Sequence, residues 1–367
     1  MARKSVDSNS GRSRIDRLRL SFSALPSDAL LVTHLPNIDY LCGFTGSNAL
    51  LLVESAGATL FTDPRYTLQA REEVTDAKIS IAKRGLIEAL GNVLACRRRR
   101  MRIGFAPTQL TVAQKKTLES LSGNHICWIQ ASLEVEKLRA IKDAREQALM
   151  RGAAALISKV WTEVVAGIKP RTSELAVAAE IEHAMKLQGA SGPSFDTIVA
   201  SGERSALPHA RPTPKLLKKN ELVVLDQGAI LRGYCSDMTR TVFLGRAPAR
   251  LRSLYQAVLE AKEAATAAIR PGIKAREVDA AARRVLQRQK LNRYFTHSTG
   301  HGLGIEIHEM PRLGKHEDTL LQEGMALTVE PGVYIQGLGG IRIEDEVLVT
   351  AKGAEVLTSA SREFLEL

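Results

Sequence analysis

Along residues 15–130, short apolar runs alternate with amphipathic stretches, a pattern that predicts a small α/β domain. DALLVTHL (28–35), NALLLVES (48–55) and GATLFTD (57–63) read as strands, and PRYTLQAREEV (64–74) as a helix after the third. From residue 134 the period lengthens. EVEKLRAIKDAREQALMRGAAALISKVWTEVV places its apolar positions at helical spacing, which predicts one long amphipathic helix opening a second domain. The domain boundaries expected from this change are 13–138 and 143–367.

The second domain repeats itself. AGIKPRTSELAVAAEIEHAM and PGIKAREVDAAARRVLQRQ each carry a Gly-Ile-Lys turn leading into a helix, beginning at Gly167 and Gly272. Asp226 follows Gly167 by 59 residues and Glu330 follows Gly272 by 58; a second acid comes 11 residues later (Asp237) and 14 later (Glu344). Two copies of one helix-plus-hairpin unit thus deliver two acids each, and a pseudo-twofold arrangement would bring the pairs to one centre. Strand alternation adds detail. ELVVLDQGA and GYCSDMTRTVFL predict a hairpin across which Asp226 and Asp237 face each other. In IRIEDEV, Arg342, Glu344 and Glu346 fall on one face, and Pro331-Gly332 ends the strand that carries Glu330.

Composition narrows the class. With 44% apolar and 25% charged residues the chain reads as globular, and no apolar stretch reaches membrane-spanning length. The basic N-terminus lacks the apolar core of a secretory signal and is expected to be a frayed tail leading into a first helix. The four cysteines form no C-x-x-C pair, which fits a reducing cytoplasm, and Cys235 is expected to be a small buried thiol rather than a ligand. The formal charge of +11 divides into +7 for residues 1–140 and +4 for the rest, with Arg97–Arg100 the densest run. Few aromatics interleave with these bases, so neither nucleic acid nor membrane is an expected partner.

The chemistry gathers near the C-terminus. Asp226, Asp237, Glu330 and Glu344 all sit in apolar, β-branched segments, with few bases nearby in sequence, Arg240 and Arg342 among them. Burying four unpaired carboxylates would cost several kcal/mol each. Together with His301 they read as one dinuclear metal site. Such an oxygen-rich donor set suits Mn²⁺, Co²⁺ or Fe²⁺ better than a structural zinc. Paired metals activate water at neutral pH and polarise a carbonyl, so the implied reaction is metal-assisted hydrolysis. Of eight histidines, five (His209, His297, His301, His308 and His316) fall between residues 209 and 316. In HSTGHGLGIEIH, one histidine serves as ligand and another can donate to a tetrahedral intermediate; His316 in GKHED reads as a solvated loop residue.

These segments carry a family resemblance. Residues 143–367 resemble the catalytic domain of the pita-bread metallopeptidases, the group of methionine aminopeptidase, aminopeptidase P and prolidase. NIDYLCGFTGSN and LFTDPRYTLQA resemble the creatinase-type N-terminal domain. The resemblance implies an α/β N-terminal domain followed by an α+β pita-bread domain with internal pseudo-twofold duplication. It implies that Asp226 binds one metal, that Asp237 and Glu344 bridge two, and that His301 and Glu330 complete the set, Glu330 also shuttling a proton. It assigns His308 to the tetrahedral intermediate, His209 to the substrate amide and leaving group, His297 to the pocket and Arg342 to bracing the site. The N-terminal domain points to the aminopeptidase P and prolidase branch rather than methionine aminopeptidase.

The expected activity is therefore an Xaa-Pro aminopeptidase holding two divalent ions, most readily Mn²⁺, acting on peptides with proline second, as a cytoplasmic homodimer. The alternative within the branch is an Xaa-Pro dipeptidase (prolidase). Outside it stand a catalytically inactive pita-bread binding module and the metal-free hydrolase creatinase. Both depart from the ligand set that this chain carries complete.

Overall fold

The computed structural model describes residues 12–22, 26–131 and 133–367. The expected N-terminal tail, residues 1–11, lies outside them, and a first helix spans Arg14–Ser21 with Ser13 as its cap. The chain divides into two compact units, Met1–Arg139 and Ala140–Leu367.

The first unit is built on a six-stranded sheet. Its strands are β1 (Ala29–Val32), β2 (Ala49–Glu54), β3 (Gly57–Thr62), β4 (Lys78–Ile81), β5 (Met101–Phe105) and β6 (Ile126–Gln130). They lie in the order β4-β3-β2-β1-β5-β6. The three strands read from sequence form an antiparallel centre, and β4, β5 and β6 add in parallel outside it. β1 and most of β2 are buried at every position, as uninterrupted apolar runs require. Helices Leu86–Ala95 and Val112–Ser122 contribute Leu90, Leu94 and Leu118 to the core formed with Leu31, Leu52 and Phe61.

Two local expectations fail for stated reasons. The first strand stops at Val32, because Leu35-Pro36 opens a helix running to Cys42. The expected single helix from residue 134 is two, Glu134–Ala140 and Ala144–Val165. Asp143 breaks it. Its carboxylate accepts the N–H of Glu146 at 2.8 Å, while Glu146 accepts the N–H of Asp143 at 2.9 Å, a reciprocal cap that starts a fresh helix.

The second unit shows the duplication as two cores. One joins helices Ala144–Val165 and Glu174–Leu187 to a three-stranded sheet of Ile198–Ser201, Leu222–Gln227 and Met238–Phe243. The other joins helices Ala249–Ala268 and Ala275–Arg288 to a five-stranded sheet that includes Gly300–Gly302, Ala326–Val329 and Asp345–Thr350. No described helix is long and apolar enough to cross a membrane.

Candidate metal centre and active site

Strand geometry brings the acids together. Asp226 lies opposite Thr239 in the ladder between Leu222–Gln227 and Met238–Phe243. Asp237 sits just before that ladder, two residues from Thr239, so the two acids share a face diagonally rather than directly across the hairpin. From the other half, Glu330 follows the strand Ala326–Val329, and Glu344 precedes Asp345–Thr350. The Arg342/Glu344 face meets the first hairpin through hydrogen bonds. Arg342 Nε donates to Thr239 Oγ1 at 3.0 Å, and Thr239 donates to Glu344 Oε2 at 2.6 Å. Asp345, on the opposite face, is held instead by Arg240, Lys262 and Arg362.

All five expected ligands line one cavity of about 270 Å³. Ligand atoms of Asp237, His301 and Glu344 lie within 4.8 Å of one another. His301 Nε2 is 3.6 Å from both Asp237 Oδ2 and Glu330 Oε1. The His301 Nδ1 faces the Gly302 carbonyl at 3.0 Å; a carbonyl only accepts, so the proton sits on Nδ1 and the Nε2 lone pair points at the acids. Burial pulls this imidazole down to about 4, keeping it neutral and able to ligate.

The donor set fits divalent ions on the structure's own terms. Asp226 Oδ1, Asp237 Oδ1 and Glu344 Oε1 are buried with no hydrogen-bond partner. Asp226 Oδ2 accepts from Arg342 Nη2 at 2.6 Å. Burial, then the charges of Glu344, Asp226 and Glu330, pushes the Asp237 carboxyl well above its ordinary value. Burial and Glu330 do the same to Glu344. Burial lifts Glu330 to about 7 against the opposing pull of Arg342. Oxygens without donors, in acids that resist ionising together, are what cations would satisfy.

The other expected residues surround this cluster. His308 packs edge-on against the His301 ring, centroids 4.4 Å apart, and burial lowers its basicity. His209 lines the same cavity from an exposed loop. His297 also lines it, but both ring nitrogens are committed: Nδ1 to the Ser298 carbonyl at 2.8 Å and Nε2 to the Tyr334 hydroxyl at 2.9 Å. Burial, then Arg342, takes His297 to about 4, so the neutral ring accepts from Tyr334, which accepts from Arg342 Nη1 at 2.7 Å. Arg342 further donates to the Pro208 carbonyl at 3.0 Å, beside His209. Four of its five donors are thereby spent on the protein. Tyr334 and Thr239, the relays of this network, were not singled out from sequence; Tyr334 had a signal in its place two residues after the Pro331-Gly332 turn. His316 is exposed and lines a neighbouring cavity. Cys235 is buried, its thiol pushed up to about 12 by burial, and it is not among the clustered ligand atoms.

Residues 148–351 match Metallopeptidase family M24, and residues 14–141 match the Creatinase/Prolidase N-terminal domain. The chain belongs to family M24. An Xaa-Pro dipeptidase from Pyrococcus horikoshii is 34% identical over 342 residues, covering 92% of this chain and 94% of that protein. The structure of an Xaa-Pro dipeptidase from Bacillus anthracis superposes with a TM-score of 0.93 at 38% identity, covering 96% of this chain and 99% of that one. An X-Pro aminopeptidase from Thermotoga maritima follows at TM-score 0.87 and 32% identity, covering 95% and 100%. The fold is accordingly the creatinase-type N-terminal domain joined to a pita-bread catalytic domain, as the M24 resemblance implied.

Proposed function

We propose that this M24 metallopeptidase is an Xaa-Pro dipeptidase, hydrolysing the bond before a C-terminal proline. The observation that carries the reading is the convergence of Asp226, Asp237, His301, Glu330 and Glu344 on one cavity, with buried oxygens that lack donors. The relatives favour the dipeptidase of the two exopeptidase readings. Those called Xaa-Pro dipeptidase include the Bacillus anthracis structure at TM-score 0.93, against 0.87 for the Thermotoga maritima aminopeptidase. The dipeptidase therefore replaces the aminopeptidase as the favoured activity. A small cavity agrees, since about 270 Å³ lies just below the roughly 300–1,000 Å³ usual for small-molecule sites.

In this reading the five side chains hold two divalent ions, Mn²⁺ being the first choice for so hard a donor set. When bound, the ions supply an activated water at neutral pH and polarise the scissile carbonyl. Glu330, lining the cavity beside His301, would take the water's proton at its carboxylate and return it to the departing proline nitrogen. His308 donates to the oxyanion as the carbon becomes tetrahedral, and His209 steadies the leaving side. Arg342 fixes the carboxylate of Asp226 and, through Tyr334, the ring of His297. The same reading makes the protein a cytoplasmic homodimer that takes Xaa-Pro peptides.

The test compares an Xaa-Pro dipeptide with an Xaa-Pro-Yaa tripeptide on the Mn²⁺-loaded protein. Higher kcat/KM on the dipeptide is expected. A preference for the tripeptide would return the assignment to aminopeptidase, and cleavage of neither would end both.

A further inference from the structure

The duplication that delivers the metal ligands also delivers a second, matched pair of acids that the proposed mechanism does not use. Glu174 lies seven residues beyond Gly167, and Asp279 seven beyond Gly272. Each sits near the start of the helix that follows its Gly-Ile-Lys turn. Each is buried, at 0% and 1% exposure, inside a polar nest rather than a solvated face.

Their partners correspond. Glu174 Oε1 accepts both the N–H of Ser201 at 2.9 Å and its hydroxyl at 2.8 Å. Asp279 Oδ1 accepts both the N–H of Thr299 at 3.2 Å and its hydroxyl at 2.9 Å. Each acid pairs with one arginine, Arg204 at 3.2 Å and Arg283 at 2.7 Å. Each arginine also donates to backbone carbonyl oxygen. Arg204 Nη2 reaches Arg211 O at 2.6 Å, while Arg283 reaches Phe295 O at 3.0 Å and His297 O at 2.5 Å.

The carbonyls so held belong to the two segments that bring histidines to the cavity. Ser201 begins the loop that carries His209. Thr213 ends it, and its N–H and hydroxyl also donate to Glu174, at 3.1 and 2.7 Å. One carboxylate thus ties both ends of that loop, and Arg204 near its start is tied to Arg211 near its end. In the other half, Thr299 stands between His297 and His301, and its carbonyl accepts the N–H of Glu330 at 2.8 Å. Burial pushes the Glu174 carboxyl up, yet the hydrogen bonds from Thr213 and Ser201 hold it below its ordinary value, as an ionised clamp requires.

We infer that Glu174–Arg204 and Asp279–Arg283 are a duplicated pair of positioning brackets, one holding His209 and the other the His297–His301 segment at the reaction centre. Neither acid lines the cavity. They act through the histidines, so they are positioning residues. The inference rests on the peptidase reading for the roles of the histidines that are held.

The test is a double-mutant cycle on the Mn²⁺-loaded protein with an Xaa-Pro substrate, joined to amide hydrogen exchange. Glu174→Gln should lower kcat/KM about tenfold in the wild-type background. In a His209→Ala background it should change kcat/KM by less than about twofold, because the group it positions is gone. A purely structural role would multiply the two losses instead, and that result overturns the bracket. Exchange provides the arm that needs no activity. Glu174→Gln should speed exchange across 202–212 and leave 295–300 unchanged, and Asp279→Asn should do the reverse; uniform or absent effects contradict the inference. Should Glu174→Gln fail to fold, Arg204→Gln, whose side chain is partly exposed, carries both arms. A wild-type protein inactive on Xaa-Pro peptides would sink the peptidase reading, while the exchange result alone would still decide the bracket.

Discussion

Neutralising one acid of the metal centre should make the ion-free protein more stable, the opposite of the usual cost of a buried substitution. Glu344→Gln is the cleanest case. Its Oε2 already accepts from Thr239, and a glutamine oxygen can continue to do so, while its Oε1 has no donor to lose. What the substitution removes is a carboxyl that on folding must either ionise beside Asp226 and Glu330 or keep a proton the unfolded chain has lost. The size of the effect follows from Glu330, lifted from 4.5 to about 7. At 1.36 kcal/mol per unit, ionising that one group in the folded protein is unfavourable by roughly 3 kcal/mol. The sign runs with pH. A raised carboxyl keeps its proton in the folded state where the unfolded chain has lost it, so stability falls as pH rises from 4.5 to about 7. Chelator-stripped Glu344→Gln should therefore exceed stripped wild type by about 1–2 kcal/mol at pH 7.5, and the gap should close near pH 5. With Mn²⁺ the order should reverse, because binding stabilises only the chain that keeps its ligands. Urea unfolding followed by the fluorescence of Trp161, in a Trp128→Phe background that confines the signal to the second unit, measures this directly. A stripped wild type whose stability is flat from pH 5 to 8, and which Glu344→Gln does not raise, would refute the reasoning.

Two further substitutions probe the rest of the site. Tyr334→Phe deletes the hydroxyl linking Arg342 to His297 while leaving the ring packed, so kcat/KM should fall about tenfold with a stability loss of about 1 kcal/mol; steady-state kinetics and thermal unfolding separate the two. Cys235→Ala should retain full metal content and kcat/KM within about twofold, since that thiol lies outside the ligand cluster; loss of an ion by mass spectrometry would make it a ligand after all.

What the sequence disclosed depended on period and chemistry, and what it concealed depended on competition between local signals. Asp226, Asp237, His301, Glu330 and Glu344 could be read together because acids in β-branched runs are costly, and the structure lines one cavity with all five. The apolar runs at 49–54 and 57–62 also became strands, since nothing local opposed them. The break at Ile141–Asp143 was missed because helical periodicity continues across it; only the Asp143/Glu146 capping pair, four letters long, marks a new start. The hairpin that brings Asp226 and Asp237 to one face is legible, but its register, which pairs Asp226 with Thr239 and sets Asp237 diagonally, is an offset that hydrophobic pattern does not encode. The relays were hidden for a different reason. Thr239, Tyr334 and the Glu174 and Asp279 clamps act through partners distant in the chain, and no spacing rule connects Arg342 to Thr239 or Tyr334 to His297.

The central claim is that a buried group of carboxylates is balanced by divalent ions that serve peptide hydrolysis. Metal content per chain, measured on Mn²⁺-loaded wild type and Asp237→Ala alongside Xaa-Pro cleavage, tests it most directly. Two ions per wild-type chain, with ions and turnover lost together in a folded Asp237→Ala, is the predicted result. Full turnover in chelated wild type, or an Asp237→Ala that keeps its ions and its activity, would contradict it.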